Sequence, residues 1–231
     1  MAIQSNFPSL KPTLLLDFAN TKQLDPRITF TRASTATYYD GKTTAKAEQN
    51  LLTYSQDFDN AAWAASGSTT TANSTAAPDG TTTADSLLET ATTSLHRVRQ
   101  TISAAGTYTV SVFAKPNGRD FIAIAPDDSG TVYAVFNLAT GTVGTTAGGV
   151  TNATITPSAN GFYRVSVSLP LTTSGPYLHI RDADSAPTSY AGDVTKGLYI
   201  WGAQVEQRSS VTAYTATTTQ PITNYIPVLQ T

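Results

Sequence analysis

The sequence predicts an all-β fold, an antiparallel sandwich or barrel, and three observations predict it. From about residue 95 onward apolar and polar residues alternate in short runs, the period of a half-buried strand. Clusters rich in Gly, Pro and Asn separate these runs at spacings of about 8–15 residues, as in sandwiches and barrels. Thr and Ser together make about a quarter of the 231 residues, and the β-branched side chain of Thr suits a pleated surface better than a helix. Helical patterning is thin: the one candidate turn is Asp59–Trp63, with Asp59 as its cap.

In chain order, residues 1–50 read as an extended N-terminal attachment segment. Pro8 and Pro12 punctuate its start, Leu14–Leu16 is a short buried strand, and Arg27–Thr31 alternates. Tyr38-Tyr39-Asp40-Gly41 is a strand entering a turn. Residues 51–214 carry the sandwich. Within it, residues 64–94 are mostly Ala, Ser, Thr, Gly and Asn and read as surface loops and edge strands, with a turn at Pro78-Asp79-Gly80. Strands follow at Tyr108–Ala114, Phe121–Ala125, Val132–Phe136, Thr151–Thr156, Phe162–Leu169, Tyr177–Arg181 and Leu198–Glu206. Asn160-Gly161 is the strongest hairpin signal, because both residues tolerate positive φ. Tyr199 and Trp201 share one strand face and read as core. Residues 215–231 form a C-terminal tail whose Ile222, Tyr225, Ile226 and Val228 ask for a packing partner, such as a neighbouring chain.

Composition narrows the function. Charged residues are 13 % of the chain and the net charge is −2, so no basic stripe is available for a nucleic-acid backbone. Cysteine is absent, which excludes disulfides, thiolate metal sites and thiol nucleophiles. No apolar run is long enough to span a membrane, and the first residues lack the charged start and long apolar stretch of a secretory signal. The protein is expected to stay where it is made, or to leave the cell by lysis or as part of a particle. A Thr-rich, charge-poor chain reads as a structural or binding module and not as an enzyme.

Specific motifs are few. Gly41-Lys42-Thr43 is not a phosphate loop, since Ala36 stands where that loop needs its first glycine. No Gly-x-Ser-x-Gly occurs. His96 and His179, the only histidines, lie in strand-like alternation and read as surface or edge residues. Asp127-Asp128 and Asp182-x-Asp184 supply carboxylates, the raw material of glycoside hydrolysis if two converge across a cleft. Calcium is the one conceivable cofactor: Asp79 and Asp85 around the Gly80 turn, with Glu206, are the candidate oxygen ligands. Sugar rings stack on flat aromatic side chains with a polar edge, and Trp63, Tyr133, Tyr177 and Tyr190 are the candidates for glycan contact.

Several phrases carry a resemblance. They run in order from Leu14-Leu15-Leu16-Asp17-Phe18 and Asp25-Pro26-Arg27-Ile28-Thr29-Phe30-Thr31-Arg32 to Asn50-Leu51-Leu52-Thr53-Tyr54-Ser55. Ala77-Pro78-Asp79-Gly80-Thr81 and Leu198-Tyr199-Ile200-Trp201-Gly202-Ala203-Gln204 complete the series. The series resembles tailed-bacteriophage virion proteins of head spikes, head fibres and tail fibres that carry a carbohydrate-binding-module-like jelly roll. That resemblance implies a jelly-roll β-sandwich, commonly a homotrimer, held to other virion proteins of capsid or tail. The function it implies is a non-enzymatic structural subunit, a spike, fibre or head decoration, in contact with host surface glycans. A free carbohydrate-binding module and a glycan depolymerase are the alternatives.

Overall fold

The computed structural model describes residues 49–103, 106–171 and 175–223. The strands expected within residues 1–48 and the Gly41-Lys42-Thr43 motif lie outside them, as do Tyr225, Ile226 and Val228. The described chain is an antiparallel β-sandwich of fourteen strands: β1 (Ala64–Ser66), β2 (Ser68–Thr75), β3 (Ala84–Glu89), β4 (Thr93–Ser94), β5 (Arg97–Arg99), β6 (Gly106–Asn117), β7 (Phe121–Ala125), β8 (Tyr133–Asn137), β9 (Thr142–Ala147), β10 (Thr151–Pro157), β11 (Tyr163–Leu171), β12 (Tyr177–Arg181), β13 (Tyr190–Ala191) and β14 (Gly197–Glu206). The first sheet has the order β1-β5-β12-β7-β8-β9 and the second β10-β11-β6-β14-β3-β2, with β4 and β13 forming a small ribbon. The chain passes between the sheets repeatedly, as jelly-roll wiring requires.

Alternation explains which side chains lie between the sheets. Val110, Val112 and Ala114 of β6 pack with Val165, Val167 and Leu169 of β11, and against Val98, Ile122, Ile124, Phe136, Leu178 and Ile180 of the first sheet. Each of these Val, Leu, Ile and Phe side chains, once buried, contributes roughly 1.5–3 kcal/mol. The odd-numbered residues of β6 face away from this core: Phe113 joins Trp201 and Phe162 in a second cluster behind the second sheet. The β10–β11 connection is the hairpin that Asn160-Gly161 predicted. Asn160 has φ 57° and Gly161 φ 76°, the left-handed pair that matches strand twist. Asp59–Trp63 is a set of turns and not a helix, and β9, which has no strong alternation, was not expected as a strand.

Asn50 closes the body. Its amide donates to the carbonyls of Ala203 (3.0 Å) and Thr215 (2.9 Å), and its oxygen accepts from the N–H groups of Leu52 and Val205. Asn50 also bridges Ile222 in antiparallel fashion. Residues 208–223 therefore pack on the chain's own sandwich: Thr215 and Thr217 are buried there. Three edge strands are bulged, β2 between Thr71 and Thr75, β9 opposite Ala134–Phe136 and β10 between Thr151 and Thr154. Bulges twist an edge away from flat pairing, so these Thr-rich edges are blunted by geometry where most proteins use charge.

Candidate functional site

Each sheet has an outer face, turned away from the other sheet, and the first sheet's outer face holds an unusual set of side chains. Register places Arg99 beside Tyr177 and Arg97 beside His179. It then places Tyr177 beside Ala125, His179 beside Ala123 and Arg181 beside Phe121. Strand alternation thus lines up Arg97, Tyr177, His179 and Arg181 on one surface, with the small residues of β7 beyond. Two connections cover that surface. The β7–β8 loop carries Asp127 and Asp128, and the loop after β12 carries Asp182 and Asp184. They meet where Gly130, at φ 67°, lies under the Pro187 carbonyl, so that an added Cβ would sit 3.0 Å from that oxygen.

Two arginines hold this arrangement. Arg181, 2 % exposed, donates to the Thr188 carbonyl (2.7 Å) and the Ser185 hydroxyl (3.0 Å), which fixes the loop after β12. Asp184 pins the same loop to β9 by accepting from the Thr145 N–H at 2.7 Å. Arg97 reaches the β7–β8 loop: its Nε lies 2.6 Å from Asp128 Oδ1. Its guanidinium also lies over the Tyr177 ring, 4.7 Å from the centroid. The Tyr177 and His179 rings are near parallel, with centroids 6.0 Å apart.

What distinguishes the face is unused hydrogen-bonding capacity. Six buried side-chain polar atoms among the described residues make no well-aligned hydrogen bond, and five of them are here: Arg97 Nε, Asp128 Oδ1, both ring nitrogens of His179, and Arg181 Nε. Arg97 and Asp128 compensate one another as an ion pair. His179 has no ion-pair partner in close contact: Asp128 Oδ1 stands 3.8 Å from its Nε2, and the Asp127 backbone and carboxylate are near enough to favour its protonated form without an aligned hydrogen bond. Burial, followed by the positive charges of Arg97 and Arg181, pushes the His179 pKa down to about 3, so the imidazole is neutral at ordinary pH. Buried polar groups are nearly always satisfied, and an orphan costs about 1–3 kcal/mol. Native proteins keep such groups where a ligand or water uses them.

The expectations about individual residues are revised accordingly. His96 and His179 are both buried and not surface residues; His96 lies between the carbonyls of Gly67 and Tyr190. Of the four aromatics, Tyr177 and Tyr133 belong to the outer face of the first sheet, but neither is open for stacking. Tyr177 lies beneath Arg97, and Tyr133 packs with Ala123, Ala125 and Val135. Trp63 is core: it packs on Phe58 and donates its indole N–H to the Tyr54 carbonyl at 2.9 Å. Tyr190 is half-buried and donates to Glu89 Oε1 at 2.5 Å. Glu89 also accepts two bonds from Arg119 and one from the Asp193 N–H, a closed network with no capacity left over.

The proposed calcium ligands are not brought together. Asp79 accepts from the N–H and hydroxyl of Thr81 in its own turn. Asp85 accepts from the N–H groups of Phe58 (2.7 Å) and Asn73 (3.0 Å). Glu206 accepts from the Thr212 N–H at 3.1 Å. Each carboxylate spends its lone pairs on local donors, and no group of three metal-ligating side chains occurs among the described residues. Arg97 and Arg181 were missed as site residues. Their signal was present, since Arg97–Arg99 and Tyr177–Arg181 alternate in the same sense. The pairing of β5 with β12 across some eighty intervening residues was not readable from either run alone.

No family model matches the chain, and no curated protein matches it. Among solved structures it is similar to the enzymatically active domain of tailspike protein 4 of bacteriophage CBA120, with 15 % identity and a TM-score of 0.39. The match covers 68 % of this chain and 21 % of that one, so this chain spans about a fifth of that structure's length. This likeness, like the sequence phrases, runs to a phage protein, and it is too loose to assign this chain an activity. It does correct one expectation. The matched structure is an enzymatically active domain, so the reading of this chain as a non-enzymatic structural subunit, and as no enzyme, does not stand. Among the described residues no helix is long and apolar enough to cross a membrane.

Proposed function

We propose that this chain is a glycan-recognition module of a bacteriophage particle, with the outer face of the first sheet as its sugar-binding surface. One observation carries the reading: five of the six buried polar atoms without an aligned hydrogen bond among the described residues lie on that face, and of these only Arg97 Nε and Asp128 Oδ1 are offset by an ion pair. Sugars present many hydroxyl groups that donate and accept, and they are bound by preplaced polar groups on a rigid scaffold. Here Arg97 and Arg181 donate, Asp128 accepts, and neutral His179 does either. The strands hold these groups, which makes the surface preorganised. The phage attribution rests on the sequence phrases that resemble virion proteins.

The test is binding of the full chain to an array of bacterial surface polysaccharides, followed by calorimetry on each hit. Arg97→Ala is expected to weaken a hit by at least about tenfold, the cost of one good polar contact at a desolvated site. Ser168→Ala, on the opposite face, is expected to leave affinity unchanged. No hit on the array, or equal effects of the two variants, overturns the proposal. Reducing-end release is measured in the same samples, which reports whether recognition is accompanied by cleavage.

A further inference from the structure

The charges on the first sheet's outer face assign a chemical class to the ligand, an inference that rests on the glycan reading above. Arg97 and Arg181 flank His179 along β5 and β12, and both are fixed by neighbours within the chain. The anionic partner is of a different kind. Asp128 belongs to the β7–β8 loop and not to the sheet, and its side chain is 33 % exposed while that of Arg97 is 13 % exposed. It enters from outside, brings one oxygen to 2.6 Å from Arg97 Nε, and stops 3.8 Å short of His179 Nε2. The contact with Arg97 is close but not aligned as a hydrogen bond. Beneath it remain both nitrogens of His179, a side chain 1 % exposed, and Arg181 Nε.

A guanidinium prefers a planar group offering two oxygens at once, and Asp128 engages it with one. The other acids nearby do not complete the site. Asp182 lies outside, 3.7 Å from Arg181 Nη2 and 38 % exposed, and Asp184 is committed to the Thr145 N–H. We propose that this face binds an acidic sugar through its carboxylate, and that in the free protein Asp128 occupies the place the ligand's carboxylate takes. The incoming carboxylate displaces Asp128 into solvent, forks onto Arg97, and accepts from His179, whose neutral ring carries one N–H. Burial is the main cause of the lowered His179 pKa, and the further lowering by Arg97 and Arg181 fits a positive potential at this spot.

The experiment compares short oligosaccharides of galacturonate, alginate and hyaluronan with their carboxyl-reduced, neutral counterparts, by calorimetry on the full chain at low salt. The expected result is binding of at least one acidic oligosaccharide and a loss of at least about tenfold for its neutral form. Asp128→Asn and Asp128→Ala, at a partly exposed loop position, remove the internal competitor and are expected to tighten acidic binding by about tenfold. Arg97→Gln is expected to abolish it, and raising the salt to weaken it. Equal binding of acidic and neutral forms overturns the acidic class while leaving glycan recognition in place. Weaker acidic binding by both Asp128 variants, with native near-ultraviolet dichroism retained, overturns the displacement. No binding of any acidic form by the chain or its Asp128 variants overturns the whole inference, and the polysaccharide array then decides the glycan reading separately.

Discussion

The two outer faces of this sandwich are built from the same kind of strand and treat their polar groups in opposite ways. Behind the second sheet, Thr109 and Ser168 bond each other at 2.8 Å, as Thr154 and Ser166 do at 2.7 Å. The segment after β14 then lies across them and supplies carbonyls: Arg208 to Thr109, Ser209 to Ser168 and Asn152, Thr212 to Arg164, Ala213 to Gln204. Only Arg164 Nε is left over there. Behind the first sheet the covering loops give Arg181 the Thr188 carbonyl and Arg97 the Asp128 carboxylate, and leave both ring nitrogens of His179 without an aligned hydrogen bond. A satisfied polar network rigidifies the fold, whereas an unsatisfied buried group is a cost to it, and the proposed ligand would offset that cost.

The largest expected effect that breaks this comparison is an acid response localised to His179. Its pKa is lowered on folding, from an ordinary 6.5 to about 3, so between those values the unfolded state binds a proton that the native state does not. Its contribution to stability is complete above pH 6.5 and falls as pH drops toward 3, by an amount on the order of 5 kcal/mol. Melting temperature against pH should show this fall, and His179→Phe should remove it. The same variant removes two unpaired nitrogens and is expected to cost less than about 1 kcal/mol at pH 7. A loss of several kcal/mol there would show that His179 is a structural residue.

Glu206 is the counterpart behind the second sheet. Its side chain is fully buried and takes the N–H and hydroxyl of Thr212, and its charge supports Arg164, whose own pKa burial lowers. Glu206→Ala is expected to cost about 3–5 kcal/mol in urea unfolding, with no effect on glycan binding.

Asp85, which points between the sheets, sharpens the contrast in pH. Burial raises its pKa from 3.8 to about 6 against the pull of two backbone N–H donors. The native state therefore holds a proton longer than the unfolded state, and stability falls as pH rises from about 4 to 6. This is opposite in sign to the His179 effect, with a ceiling of about 3 kcal/mol. Asp85→Asn should abolish that slope alone, so curves for the two single variants should diverge in opposite directions. The smallest effect expected is Ser168→Ala, about 1 kcal/mol for one buried hydroxyl network member, read as a small drop in the urea midpoint.

How much of this was legible differs by level. Strand identity was: Phe121–Ala125 and Tyr177–Arg181 coincide with β7 and β12, because period-2 burial is a local property. The same alternation sorted Val110 and Val112 inward and Phe113 outward. The exposure of single residues was not legible. Trp63, His96 and Tyr190 sit in segments whose local pattern suits a surface, and distant groups bury them: the Tyr54 carbonyl, the Gly67 carbonyl and the Glu89 carboxylate.

What the amino-acid order alone determined about this protein is the strand repertoire, the turns at Gly80 and Asn160-Gly161, and the absence of thiol and basic-groove chemistry. Each depends on neighbours within a few residues. The tertiary structure alone decided that Arg97, Asp128, His179 and Arg181 share one surface, and that Asp79, Asp85 and Glu206 do not. Such meetings depend on which strands pair across long stretches of chain, and that choice is made by the burial of the whole core and not by the residues that meet.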